Sequence, residues 1–186
     1  VLWLEARKER HLLANHYLEN LIALNLAGAC FEGHEAGGWR ARNYDLLRRE
    51  LDEQLLADGG HYERSPMYQQ RILFGLCALI NTGDSDLRRI CIQPAKCMGA
   101  WLKAMTHPDG GIALFNDAAL GLYVSPAALI AWLEKLDKDS GEKYWNAFVG
   151  ARHFETSGYF TAHNATGDAF YMDGGEIGPN YQPGHA

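Results

Sequence analysis

Apolar positions recur at three- and four-residue steps through most of this chain and change to a two-residue step near its end. "NHYLENLIALNLAGACFEG" carries Leu18, Leu21, Ile22, Ala29 and Cys30 at helical spacing and stops at Gly33. "WRARNYDLLRRELDEQLLADGG" places Leu46, Leu47, Leu51, Leu55 and Leu56 on one stripe that ends at Gly59-Gly60. "SPMYQQRILFGLCALINTG" opens with Ser65 as N-cap and Pro66 in the first helical position, then buries Leu73, Leu76, Cys77 and Ile80. "DLRRICIQPAKCMGAWLKAM" reads as a fourth helix that Pro94 kinks or breaks. "SPAALIAWLEKLDKD" is a fifth, opened by Ser125-Pro126, and a weaker helix is expected over residues 141–150.

From about residue 152 the segments "HFETSGYFTAHN" and "GDAFYMDGGEIG" are rich in aromatics and Thr, punctuated by Gly and roughly alternating, as strands are. Two short strands are marginal alone. The expected fold is therefore mainly α: helical hairpins over 1–150, then the start of an antiparallel β-domain over 151–186 that continues past Ala186. Asp-Gly-Gly recurs at residues 58–60, 109–111 and 173–175. It suits a tight reversal with positive φ and lets a ligand approach the backbone. Such loops, one helical hairpin apart, predict a ring of helix pairs with corresponding loops at one end.

Composition narrows the function classes. The 186 residues are 47% hydrophobic and 22% charged, enough for one globular core, and no apolar run is long enough to span a bilayer. With 17 basic and 23 acidic residues the net charge is −6, which argues against general nucleic-acid binding. Cys30, Cys77, Cys91 and Cys97 sit in helix-like apolar stretches and read as buried free thiols, without zinc spacing or a disulfide framework.

Two places concentrate polar chemistry. In "DGGHYERSPMYQQ", His61, Glu63 and Arg64 directly precede a helix whose first turn holds Tyr68. The positive end of that helix is expected to favour the phenolate and ease proton transfer. In "NHYLEN", Asn15, His16 and Glu19 can share one helical face, and Asn15, Asn20 and Asn25 fall within eleven positions although Asn is a poor interior helix residue. An amide and an imidazole there can bind a carboxylate. Plain solvated faces explain either cluster taken alone.

Together the strings "ANHYLENLIALNLAGACFEG", "ELDEQLLADGGHYERSPMYQQ", "HPDGGIALFNDAALG" and "GGEIGPNYQPGHA" resemble the heparinase II/III polysaccharide lyases and their alginate-lyase relatives, in the family's order and over nearly the whole chain. The resemblance implies an incomplete (α/α) toroid joined to a truncated β-sandwich, with the active site in the cleft between. It implies β-elimination on a uronic-acid-containing acidic polysaccharide, in the periplasm or outside the cell. Asn15 and His16 match the pair that neutralises the uronate carboxylate, Tyr68 matches the general acid, and His185 matches the first His of a Gly-His-Ala-His-Ala-Asp pattern that acts as base. Glu19 is expected to orient or buffer His16. His61, Glu63, Arg64, Asn116 and Asp117 are expected to line the substrate cleft, Arg64 pairing a substrate anion or Glu63. The pattern's second His and its Asp, metal ligands in some relatives, fall beyond Ala186, so residues 1–186 are expected to hold no metal or other cofactor.

Two other classes fit the residues. A glycoside hydrolase on a similar toroid would use carboxylic acids such as Asp58, Glu63, Asp109 and Asp117. A non-catalytic glycan-binding or assembly protein would keep the helical ring without turnover.

Overall fold

Helices of opposite direction pack in pairs through the first part of the chain. The computed structural model describes residues 1–137 and 149–177. It contains α1 (Leu2–Ala6), α2 (Ala14–Cys30), α3 (His34–Gln54), α4 (Pro66–Asn81), α5 (Ser85–Ala104) and α6 (Pro126–Leu136), followed by β1 (Gly150–Phe154), β2 (Tyr159–His163) and β3 (Ala169–Asp173). α2 packs on α3 and α4 on α5, while α4 also lies against α2 and α6. Short links, residues 31–33 and 82–84, close each pair at one end. The long connections 55–65 and 105–125 therefore gather at the other end, beside the start of α2.

The core follows the apolar stripes. Leu18, Leu21, Leu47, Ile72, Leu73, Leu76, Leu87, Met98 and Leu102 are fully buried in one cluster shared by the helices. α3 departs from its expected bounds: it starts at His34, ahead of Trp39, and ends at Gln54, which leaves Leu55 and Leu56 in the loop. Its buried positions are Ala36, Trp39, Asn43, Leu47, Leu51 and Gln54, so two amides continue the apolar stripe. Pro94 does not break α5, which runs from Ser85 to Ala104 with Cys91, Ala95 and Met98 buried around it. The missing N–H costs one ladder bond, and the packed neighbours hold the helix together. Asp84 caps that helix, its Oδ1 accepting the N–H groups of Asp86 and Leu87 at 2.9 and 3.0 Å. Ser65 stands at the N-cap of α4, but its buried hydroxyl makes no capping bond. Cys77 and Cys91 are buried as expected, and burial pushes both thiols up to about 12. Cys97 is half-buried and Cys30, at the end of α2, is exposed.

The three strands form one antiparallel sheet in the order β1-β2-β3. The segment "HFETSGYFTAHN" is a hairpin and not a single strand, because Gly158 at φ +81° turns the chain between Phe154 and Tyr159. Residues 141–148 of the expected weaker helix lie outside the described residues, and Gly150 belongs to β1. The sheet docks on the long-loop end of the helices. Trp101, Ala104, Met105 and Ala113 pack with Phe154 and Tyr159. Trp101 Nε1 donates to Ser157 Oγ at 3.1 Å, Asp58 Oδ2 accepts the Ser157 N–H at 2.6 Å, and the Tyr171 hydroxyl donates to the Thr106 carbonyl at 2.8 Å.

The first two Asp-Gly-Gly loops are copies of each other. In each, the aspartate Oδ1 accepts the N–H of the second glycine (Gly60 at 3.1 Å, Gly111 at 2.9 Å), the first glycine has φ +90°, and an antiparallel bridge closes the loop, Leu55 to His61 and Thr106 to Ile112.

Candidate active site

Asn15 stands in the first turn of α2 and is buried. Its backbone N–H and its side-chain Nδ2 both donate to Glu63, to Oε1 and Oε2 respectively, each at 2.8 Å. The approach is strained: Leu13 and Ala14, just before it, have φ of 57° and 50°. Positive φ at such residues costs about 1–2 kcal/mol each. The other non-glycine residues with positive φ among those described, Arg64, Asn116 and Asp117, lie in the two long loops of the same end. Strain that clusters in this way marks a place where geometry is held for a purpose other than stability.

The loop carrying Glu63 is tied down by side-chain amides. Gln69 Oε1 accepts the His61 N–H at 2.8 Å, and Gln69 Nε2 donates to the carbonyls of Gly59 at 2.8 Å and Met98 at 3.0 Å. Gln54 Nε2 donates to the Ala14 carbonyl at 3.1 Å and to Glu50 Oε2 at 2.8 Å, which leaves its Oε1 to accept from His61 Nε2 at 2.9 Å. His61 Nδ1 then accepts the Glu63 N–H at 3.4 Å. This pattern assigns His61 as the neutral Nε2–H tautomer, and burial pushes its pKa down to about 3. His61 is 1% exposed, so it does not line a cleft as expected; it supports the loop from behind. Glu63 is equally buried, and its carboxylate is spent on Asn15.

Tyr68 lies in the first turn of α4, half-buried against the core. Its pKa is raised, first by burial and then by the negative charges of Glu63 and Asp117 and by the Tyr123 phenol. The direction is opposite to the expectation that the helix N-terminus favours the phenolate, because burial and nearby negative charge both favour the neutral phenol. Glu63 links the two positions, since it accepts from Asn15 and its charge is felt by Tyr68.

His16 and Glu19 part company. His16 is exposed, with Nδ1 3.6 Å from Glu9 Oε2. Glu19 does not orient it; Glu19 pairs with Arg71 of α4, which also donates to the Tyr123 hydroxyl at 3.0 Å. Glu19 and Arg71 are one turn along from Asn15 and Tyr68, and they open a groove of about 570 Å³ between α2 and α4, walled by Ile22, Phe74, Leu122 and Tyr123. Asn116 is occupied: its Nδ2 lies 3.2 Å from the Arg64 carbonyl, 3.0 Å from the Tyr159 hydroxyl and 3.2 Å from Asp173 Oδ2, stapling loop to sheet. Asp117 is exposed near Tyr68, and Arg64 turns toward the sheet without pairing Glu63. His185 lies outside the described residues. Gln54, Gln69 and Arg71 were not anticipated. Gln54 was findable, because it falls in register with Leu47 and Leu51 on the buried stripe.

Residues 5–139 match a family model described as heparinase II/III N-terminus. The chain belongs to the heparinase II/III family. It is 29% identical over 112 residues to a heparin-sulfate lyase of Bacteroides stercoris, a match covering 57% of this chain and 17% of that protein. A solved heparinase III gene product superposes with a TM-score of 0.71 at 24% identity, over 91% of this chain and 29% of its own. The heparan sulfate lyase HepC from Pedobacter heparinus gives 0.67 at 19% identity, over 96% and 31%. This heparinase II/III-family chain therefore spans less than a third of the length of these relatives. At such identities the structural likeness establishes the fold, and the expected architecture, hairpins of an incomplete toroid followed by antiparallel strands, is the one this chain has.

Proposed function

We propose that the whole protein is a polysaccharide lyase that cleaves a uronic-acid-containing glycosaminoglycan by β-elimination, in the periplasm or outside the cell. The observation that carries this reading is the shared carboxylate: Glu63 holds Asn15 through one hydrogen bond to its backbone N–H and one to its side-chain amide, and its charge favours the neutral Tyr68 phenol. The C5 proton of a uronate is too weak an acid while the neighbouring carboxylate is fully negative. The second Nδ2 hydrogen of Asn15 donates to that carboxylate and gains strength as negative charge builds up on it. A base removes the C5 proton, its electron pair becomes the C4–C5 double bond, and the C4–O4 bond breaks. Tyr68, held as the neutral phenol, gives its proton to O4. His16, beside Asn15 but at the surface, takes a secondary part in carboxylate binding, and His185 is the base by family resemblance.

Hydrolysis finds less support in the same loops. Asp58 accepts from the Gly60 and Ser157 N–H groups, Asp109 from Gly111, and Glu63 from Asn15, so these carboxylates are committed to the backbone or to an amide. The test is product chemistry. Heparan sulfate or another uronate polymer treated with the whole protein is expected to yield chain ends that absorb in the ultraviolet through their conjugated double bond. New reducing ends without that absorbance would overturn elimination in favour of hydrolysis.

A further inference from the structure

The peptide unit that joins Ala14 to Asn15 is held at both ends. Its N–H donates to Glu63 Oε1 at 2.8 Å, and its carbonyl accepts from Gln54 Nε2 at 3.1 Å. Two residues in costly backbone regions lead into it: Leu13 at φ 57° and ψ −158°, a region that glycine alone adopts readily, and Ala14 at φ 50°. Gln54 closes α3 and is fully buried. An apolar side chain would continue the stripe of Leu47 and Leu51 there with no buried polar atoms to satisfy. Gln54 also reaches the other half of the pair. Its Oε1 accepts from His61 Nε2 and its backbone carbonyl accepts the Tyr62 N–H, both at 2.9 Å, so it fixes the two residues directly before Glu63. The Glu50 carboxylate takes the second Nε2 hydrogen at 2.8 Å. Two acceptors on that nitrogen leave the amide a single orientation.

We infer that Gln54 is a positioning residue for the elimination: with Glu63 it clamps the Ala14–Asn15 peptide and so aims the Asn15 amide at the substrate carboxylate. The inference deepens the lyase reading and rests on it. Gln54 is buried behind the site and reaches no substrate; it acts through Asn15. A rotation of the clamped peptide swings the Cα–Cβ bond of Asn15 and carries Nδ2 with it. A displacement of about 1 Å in such a group costs up to about 10²-fold in rate. The donor gains strength as charge builds on the carboxylate, so a misaimed amide is felt in kcat more than in KM.

The test is the rate of unsaturated-end formation by the whole protein carrying Gln54→Met, alone and combined with Asn15→Ala. Met keeps the length of the side chain and removes its hydrogen bonds to Ala14, Glu50 and His61. Alone, it is expected to lower kcat about 10–100-fold with KM changed less than about twofold. Added to Asn15→Ala, it is expected to change kcat less than about twofold, because the amide it aims is gone. A residue that only supports the fold lowers the rate whether or not Asn15 is present. A similar loss in both backgrounds, a raised KM at unchanged kcat, or an unchanged rate would therefore overturn the assignment. Hydrogen exchange reads the clamp without activity. In Gln54→Met the Asn15 N–H is expected to exchange about tenfold faster while that of Leu102 in α5 keeps its rate. No change at Asn15, or the same gain at both, contradicts the clamp. In the wild type the two Gln54 Nε2 hydrogens are expected to exchange slowly, and free rotation of that amide would sink the clamp even if no variant folds. Should the exchange results hold while no unsaturated ends ever form, the elimination reading falls and the clamp stands. Elimination that proceeds with rate and exchange unmoved by Gln54→Met removes the clamp alone.

Discussion

Glu63 shows how one buried carboxylate can govern two groups at once. Glu63→Gln keeps the shape but turns one of the two acceptors facing Asn15 into a donor, so one of the two hydrogen bonds that hold Asn15, to its backbone N–H or to its side-chain amide, is lost. The expected result is a fall in kcat of about 10–100-fold with KM little changed, as loss of a charged hydrogen bond felt mainly in the transition state would give. The same change removes a negative charge that raises the Tyr68 pKa. The alkaline limb of the kcat–pH profile, where the phenol ionises, is therefore expected to move to lower pH. His61 gives a second prediction, on stability. Its folded pKa of about 3 lies below the ordinary 6.5. Above pH 6.5 neither state holds the extra proton. Below it the unfolded chain does and the folded chain does not, so stability is full above 6.5 and falls as the pH drops toward 3, by up to ~5 kcal/mol. Denaturant melts across this window should show a flatter pH slope for His61→Gln than for the wild type.

Helices and turns were readable in unequal degree. The periods of α2, α4 and α6 and the proline at the first position of α4 and α6 placed those elements closely, because local spacing alone decides them. Pro94 does not end α5, since tertiary packing overrode a local penalty. The hairpin inside "HFETSGYFTAHN" and the exposed thiol of Cys30 also depend on what packs nearby. His61 and Glu63 are expected to line the cleft, and their burial follows from Gln54, Gln69 and Asn15 reaching them from three other parts of the chain. Chemistry-bearing residue types were visible; the direction each points was not, as Glu19 and Arg64 illustrate. The paired Asp-Gly-Gly loops make the same point. Gly59 and Gly110 share φ +90°, but a Cβ on Gly59 would stand 2.4 Å from the Cys97 carbonyl oxygen, and one on Gly110 would meet nothing within 4 Å. Gly110→Ala is expected to cost only the conformational strain, ~1 kcal/mol. Gly59→Ala adds a clash with backbone and is expected to cost ~3 kcal/mol or more. Urea midpoints of the two variants check the difference.

At the scale of the molecule, helix pairs bring the N-terminus of α2, the end of α3 and the start of α4 to one end, and the sheet covers part of that end through Trp101, Asp58 and Tyr159. Segments separated by 48 residues, around Asn15 and Glu63, thereby come within hydrogen-bond distance. The account depends on that meeting being catalytic. It is tested most directly by the initial rate of unsaturated-end formation from a uronate glycan for Asn15→Ala, Tyr68→Phe and the double variant. Groups that work as a unit are not additive. Each single change is expected to lower kcat by about 10²-fold or more, and the double variant to be little worse than the poorer single. A Tyr68→Phe protein that keeps the wild-type rate, or losses that multiply in the double variant, would contradict it.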